Sequence, residues 1–167
     1  MTIEEAIKTA IEFETRIRDI YQEATAAVED EVGKRIFETL CKDEQHHIDY
    51  LRDKLMLWQA TGKIVPERLD SIVPSQEIVN REAEKIKSLV AKDFLGIKRQ
   101  MLSKALKTEI ETSAFYQKMV SELPAEGRAL FERFLEIENN HIKTVQFELD
   151  YLSKTGYWFD IKEFDME

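Results

Sequence analysis

Apolar residues recur at helical spacing along four long stretches of the chain. In the first stretch they fall every three or four residues, from Ile3 through Phe13 and Ile17 to Ala24. This spacing is typical of an amphipathic helix. The same periodicity predicts four long helices, over about 2–31, 34–60, 94–122 and 125–154. No stretch alternates apolar and polar residues with a period of two, so we expect an all-α fold.

Glycine and proline mark the expected helix ends. Gly33 is expected to separate the first two helices, and Pro124 with Gly127 the last two. Gly62 and Gly156 are expected to end the second and fourth helices.

The connection over 63–92 is long and is expected to carry a short helix of its own, over about 76–90. Four helices with one long crossover predict a four-helix bundle, and 1–167 is expected to be one domain. The tail over 157–167 begins with three aromatic residues. It is expected to cover the open end of the bundle, and a membrane or partner contact is the alternative.

The two halves of the sequence match each other. Glu14 and Tyr21 correspond to Glu109 and Tyr116 at an offset of 95 residues. At an offset of 94, a Glu-x-x-His pair in the second helix corresponds to another in the fourth; the four residues are Glu44, His47, Glu138 and His141. Each half is therefore expected to be one helical hairpin, and the two hairpins close the core together.

These repeated residues predict a metal site. Glu14 and Glu109 lie on apolar stripes, where an unpaired carboxylate is costly. Residues three apart share a helix face, so each Glu-x-x-His pair can point at one ion. One Glu from each of two helices and Glu-x-x-His from each of the other two form the di-iron carboxylate arrangement of helical bundles.

The predicted metal ligands are Glu14, Glu44, His47, Glu109, Glu138 and His141. We expect Glu44 and Glu138 to bridge the two metals and each His to bind one of them. Carboxylate and imidazole ligands suit two iron ions, or two manganese ions.

Composition excludes several kinds of site and partner. The chain has 167 residues, a net charge of −9 and one cysteine. One cysteine excludes an internal disulfide and a four-thiolate site within this chain. An acidic chain is a poor phosphate-backbone binder, and no apolar run is long enough for a membrane span, so neither nucleic acid nor a membrane is expected as a partner. The acidic N-terminus lacks signal-peptide features, and a cytoplasmic location is expected.

The chain resembles the ferritin-like superfamily, and most nearly the rubrerythrin-like (erythrin) di-iron proteins. The resemblance rests on the six predicted ligands with Tyr21 and Tyr116, and it spans all four long helices. The chain lacks the four cysteines of a rubredoxin domain, and Thr112 stands where rubrerythrins carry an additional Glu. Glu111 lies on the opposite helix face and should not reach the site, so the ligand set is closer to that of bacterioferritins.

The resemblance implies an oxidoreductase that reduces peroxide or dioxygen in protection against oxidative stress. Electrons would come from a separate donor protein such as rubredoxin, and a homodimer is expected. The alternative is an iron-handling ferroxidase that oxidises Fe(II). A helical interaction module without catalysis is a third hypothesis, but it predicts loss of the ligand set, which is complete here.

Several neighbouring residues have two interpretations. Tyr21 and Tyr116 would either hydrogen-bond ligand carboxylates across the bundle or be core tyrosines with other partners. By resemblance, Asp43 would orient His141, and the alternative is a solvated carboxylate. Cys41 is expected to be a small buried residue, and His46 a surface residue.

Overall fold

The computed structural model describes residues 1–65, 68–84, 96–156 and 158–161. Over these ranges it is helical, without a β-strand, as predicted. The helices are α1 Ile3–Ala27, α2 Glu31–Thr61, α3 Gln76–Glu84, α4 Gly96–Glu122 and α5 Ala125–Thr155. α1 packs against α2, α4 packs against α5, and α1 also packs against α4, so two helical hairpins form one bundle. None of the helices in the described ranges has the apolar length that a bilayer crossing requires.

Some predicted ends cannot be compared with the structure. The short crossover helix begins at residue 76 as expected, and its predicted continuation over 85–90 lies outside the described residues. The predicted start of the third long helix at 94 lies outside them too, as do Tyr157 and the end of the tail over 162–167.

The prediction that Gly33 separates the first two helices is wrong. α1 ends at Ala27, and α2 begins at Glu31 with Asp30 as its cap. The Asp30 carboxylate accepts hydrogen bonds from the N–H groups of Val32 and Gly33, at 2.9 and 3.1 Å. Asp at this position satisfies backbone donors that the first helical turn leaves free.

Gly33 instead makes room for the tail. A Cβ atom at Gly33 would lie 2.8 Å from the indole ring of Trp158, closer than real Cβ contacts. Gly127 is likewise not a break: it lies in the first turn of α5, where a Cβ would lie 3.1 Å from Ile3 and from Leu123. Both glycines therefore permit close packing between distant segments.

The predicted ends of α2 and α5 are confirmed. Gly62 and Gly156 adopt left-handed backbone conformations, with φ of 67° and 76°. Their N–H groups donate to the carbonyls of Trp58 and Leu152, both at 2.8 Å. Glycine takes this conformation without the penalty that a Cβ atom brings, and so stops the helix cleanly.

A buried polar layer crosses the middle of the bundle. On one side of it lies an apolar cluster that includes Ile17, Ile36 and Val145. On the other side lies a second apolar cluster that includes Ile7, Leu51 and Phe131. Along every long helix the apolar residues between these clusters give way to glutamate or histidine, so four helices bring polar side chains to one level.

The tail covers one end of the bundle. Trp158, Phe159 and Ile161 are buried in the first apolar cluster. The N–H of Phe159 donates to the Glu148 carboxylate at 3.2 Å, and at the surface Arg35 pairs with Asp160 at 2.6 Å. These contacts hold the tail over 158–161 against α2 and α5.

The crossover lies over the polar layer. We call residues 68–75 the crossover strap. Arg133 of α5 donates from Nε to the carbonyl of Leu69 at 2.8 Å, and the Asn140 side chain donates to the carbonyl of Pro74 at 3.2 Å. On the α2 side, Asp43 accepts from the strap at Ser71 and Ile72. The strap is thus bonded to α2 and α5 together.

Candidate metal centre

The structure brings the six predicted ligands together at the centre of the bundle. α1 and α4 each contribute one glutamate, and α2 and α5 each contribute a Glu-x-x-His pair. All six side chains are fully buried. The helical repeat explains this arrangement, because residues three apart point from the same helix face toward the bundle axis.

Their ligand atoms form two overlapping groups. In each group the atoms lie within 4.8 Å of one another. Glu14 and His47 belong to one group, and Glu109 and His141 belong to the other. Glu44 and Glu138 belong to both. The buried cluster is therefore a candidate site for two metal ions with two shared carboxylates.

Only some of the ligand atoms are paired with one another. His47 Nδ1 lies 3.1 Å from Glu14 Oε2 and 3.2 Å from Glu44 Oε2. His141 Nδ1 lies 2.7 Å from Glu44 Oε1, yet neither atom has a hydrogen-bond partner. Both carboxylate oxygens of Glu138 and Oε2 of Glu109 are also without partners. Buried polar atoms are nearly always paired, so this concentration of unpaired donors fits bound cations.

Without metal, protons neutralise part of this negative charge. Burial, together with the neighbouring Glu14 carboxylate, raises the pKa of Glu44 to about 8. Burial and the charges of Glu14 and Glu44 raise the pKa of Glu138 well above its usual value. Burial opposes ionisation of Glu14 as well, but hydrogen bonds and the charge of His47 keep its pKa below the ordinary value.

The two histidines are held in the charged form. Burial alone would lower the pKa of each imidazole. The surrounding carboxylates outweigh it, chiefly Glu14 and Glu44 for His47, and Glu44 and Glu109 for His141, and they raise both pKa values well above 6.5. The metal-free cluster therefore favours the protonated forms of both histidines and of Glu44 and Glu138.

Two tyrosines bind carboxylates of the opposite hairpin. Tyr21 of α1 donates to Glu109 of α4, and Tyr116 of α4 donates to Glu14 of α1. Both phenols are completely buried. Burial and the nearby carboxylates raise their pKa values well above 10, so both remain donors. The crossed hydrogen bonds fix the orientation of one unshared carboxylate in each group.

Asp43 connects the site to the crossover strap. Its carboxylate accepts hydrogen bonds from Ser71 Oγ at 2.6 Å and from the N–H of Ile72 at 3.0 Å. His141 Nε2 lies 2.7 Å from Asp43 Oδ2 and must donate, because a carboxylate only accepts. Burial opposes ionisation of Asp43, but His141 and His47 hold its pKa well below the ordinary value. Asp43 is thus a buried partner of His141 rather than a solvated carboxylate.

The two halves differ at this point. His47 Nε2 is 3.6 Å from Asp43 Oδ2 and has no hydrogen-bond partner. The residue that corresponds to Asp43 in the repeat is Ile137. Its alkyl side chain cannot accept a hydrogen bond from His47. Only His141 therefore has a hydrogen-bonded carboxylate behind its ring.

Residues that sequence analysis kept out of the site lie outside it. The Thr112 hydroxyl donates to the carbonyl of Thr108 at 2.8 Å, and Glu111 and His46 are exposed. Cys41 is only partly buried, and Sγ faces the carbonyl of Arg18 at 3.7 Å. Burial raises the pKa of this thiol, which makes it a poor ligand or nucleophile.

Three further residues near the layer were not predicted from the sequence. Ser71 lies 28 residues from Asp43, and nothing local indicates its contact. Lys54 and Glu148 are buried on α2 and α5, two turns beyond the histidines and at equivalent repeat positions. Lys54 and Glu148 could have been noticed from the sequence, because both are charged residues at positions of the apolar stripe. Burial raises the pKa of Glu148 well above its usual value, which favours the neutral carboxyl.

Comparison with known proteins supports the fold assignment. No protein-family model and no curated protein matches the chain. Among solved structures, it is similar to a chain described as one of the "ferritin like, diiron-carboxylate proteins from Bacillus anthracis str. Ames", with a TM-score of 0.59 and 23% sequence identity. The match covers 88% of this chain and 94% of that chain. Likeness at this identity concerns the fold, and the bundle described here is therefore ferritin-like.

Proposed function

We propose that this protein is a non-haem di-iron oxidoreductase that reduces peroxide or dioxygen. The observation that carries the proposal is the buried layer of four glutamates and two histidines, whose ligand atoms fall into two close groups. Several of these atoms, among them both Glu138 oxygens and His141 Nδ1, have no hydrogen-bond partner. The structural neighbour is described as a diiron-carboxylate protein, which supports iron. Oxygen and imidazole ligands would also accept manganese.

The two groups of ligand atoms assign each residue a role. Glu14 and His47 would hold one metal, and Glu109 and His141 the other. Membership of Glu44 and Glu138 in both groups supports bridging by these carboxylates. The set supplies four negative charges, which two divalent ions balance.

When bound, two Fe(II) ions supply the two electrons needed to cleave an O–O bond and act as Lewis acids. The protein's own residues prepare the site for this chemistry. Apolar clusters on both sides exclude water from it. Tyr21 and Tyr116 hold the unshared carboxylates in place, and the Asp43 carboxylate fixes the orientation and basicity of the His141 ring.

The reductant is proposed to be a separate protein such as a rubredoxin. The chain contains one cysteine and so cannot itself form a four-cysteine iron centre. Turnover of peroxide consumes two electrons and two protons and yields two waters. The homodimer and the cytoplasmic location stay predictions.

The first prediction concerns metal uptake. Anaerobic titration of the metal-free protein with Fe(II) should saturate at two ions per chain. Glu44→Ala and Glu138→Ala should each abolish tight binding of the pair, because each removes a carboxylate that belongs to both groups. Bound iron after gel filtration, measured by atomic absorption, gives the stoichiometry.

Glu111→Ala is the matched control for these variants. Glu111 is on α4, two residues from Glu109, but it is exposed. The control should still bind two ions. Saturation of the wild type at no ion or one ion, or loss of uptake by the control as well, would contradict the site.

The second prediction follows from the unequal histidines. A carboxylate behind a ligand imidazole strengthens metal binding, and loss of such a partner typically costs about 10–100-fold in affinity. Fe(II) uptake should therefore occur in two steps, with the His141 group filling first. Asp43→Asn should weaken the first step by about 10–100-fold and leave the second nearly unchanged. Ser71→Ala should have a smaller effect in the same direction.

Calorimetric titration of both steps checks this prediction, with Asp49→Asn as the control. Asp49 lies on the exposed side of α2, where it accepts from Gln45. The prediction fails if the wild type binds both Fe(II) ions with equal affinity. It also fails if Asp43→Asn lowers the affinity of both steps equally, because Asp43 would then not distinguish the two metals.

The third prediction separates oxidant reduction from iron handling. Stopped-flow mixing of the Fe(II)-loaded protein with hydrogen peroxide and with dioxygen should show oxidation of both irons, with the iron retained. Much faster reaction with peroxide indicates a peroxidase. Preference for dioxygen followed by iron release would instead support the ferroxidase alternative, and no reaction with either oxidant would reject both.

A further inference from the structure

A cavity of about 260 Å³ lies between α2 and α5 beside the metal layer. Its floor is formed by Tyr50 of α2 with Leu130 and Phe134 of α5, and Val65 and Leu69 of the crossover border its outer side. This cavity is distinct from the space enclosed by the ligand carboxylates, because no predicted ligand lines it.

Hydrogen bonds from α2 and α5 reach the two crossover residues that line the cavity, Val65 and Leu69. The buried Lys54 ammonium donates to the carbonyl of Val65 at 2.8 Å. On the opposite side, Arg133 Nε donates to the carbonyl of Leu69 at 2.8 Å. Lys54 also lies over the Tyr50 ring, 5.0 Å from its centroid. Val65 and Leu69, which line the cavity, are therefore each bonded to one of the two helices.

The chemistry of the walls favours an uncharged occupant. Most of the lining is aliphatic or aromatic. The Arg133 guanidinium is already engaged by Leu69 and by Glu136 at 3.0 Å. Among the lining residues that the structure describes, the other charged side chain is Glu126, which is exposed in the first turn of α5. An ion would meet mostly apolar groups along this described lining and lose hydration, whereas an apolar molecule would gain contact with it.

The cavity adjoins the metal layer through one aromatic ring. Phe134 packs edge-on against His47, with ring centroids 5.5 Å apart and an interplanar angle of 78°. The same Phe134 ring forms part of the cavity floor. A molecule in the cavity would therefore be separated from a predicted metal ligand by the thickness of one side chain.

We propose that this cavity binds a small uncharged apolar organic molecule next to the metal pair. Binding itself needs only the metal-free fold, while a role as co-substrate rests on the proposed function. An apolar cavity of roughly 150 Å³ accommodates benzene. The larger volume here gives room for a substituted or two-ring aromatic molecule, or for a short aliphatic chain.

Fluorobenzene is a suitable probe, and its ¹⁹F NMR signal reports binding to the metal-free protein. The wild type should bind it saturably. Ala129→Phe places a ring in the cavity lining and should weaken binding at least about tenfold. Ala114→Phe is the control, since Ala114 is an exposed alanine on α4, away from the cavity. Thermal unfolding of both variants verifies that they are folded.

A second readout places the probe relative to the metals. With Fe(II) bound, the ¹⁹F relaxation of fluorobenzene should increase in the wild type and much less in Ala129→Phe. Absence of saturable binding, or equal binding by Ala129→Phe, would overturn the proposal. If Ala129→Phe converts a wild-type dimer into a monomer, the cavity is a contact between copies and the proposal also fails. None of these outcomes alters the Fe(II) stoichiometry, so failure here is distinguishable from failure of the proposed function.

Discussion

The structure depends on placing four carboxylates at one level inside an apolar bundle. Each long helix interrupts its apolar stripe at that level, and apolar clusters lie on both sides of the layer. Like charges at this separation in a buried site cannot all remain ionised. In the metal-free protein this constraint raises the pKa values of Glu44, Glu138 and both histidines and so favours protons in the layer. Two divalent metals would satisfy it in their place.

The two-fold repeat supplies equivalent ligands to both metal positions. Departures from the repeat make the surroundings of the two histidines different. Asp43 has Ile137 as its repeat partner, so only the His141 side gains a buried carboxylate. That carboxylate is in turn held by Ser71 and Ile72, which belong to the crossover and have no counterpart between α4 and α5. Because the crossover joins α2 to α4, the connection that closes the bundle also determines which imidazole is the stronger donor.

The helices and the candidate ligands could be predicted because their signals are local and periodic. A glutamate on an apolar stripe three residues before a histidine can be recognised from spacing alone. Gly33 shows where this reasoning fails: a local interpretation made it a helix break, while its actual constraint is the indole of Trp158, 125 residues away. The same applies to Ser71 and to the cavity beside Phe134, since both depend on how the crossover lies across two helices.

The most direct test of this account is the number of protons released when metal-free protein binds Fe(II) anaerobically near pH 7. Calorimetry in buffers of different ionisation enthalpy measures it. Because the pKa values of His47, His141, Glu44 and Glu138 are all raised, we expect metal binding to release protons, up to about four per two metals. Affinity should therefore fall as the pH is lowered. Binding of two metals with no proton release would contradict it, because the metals would then not have replaced protons in the buried layer.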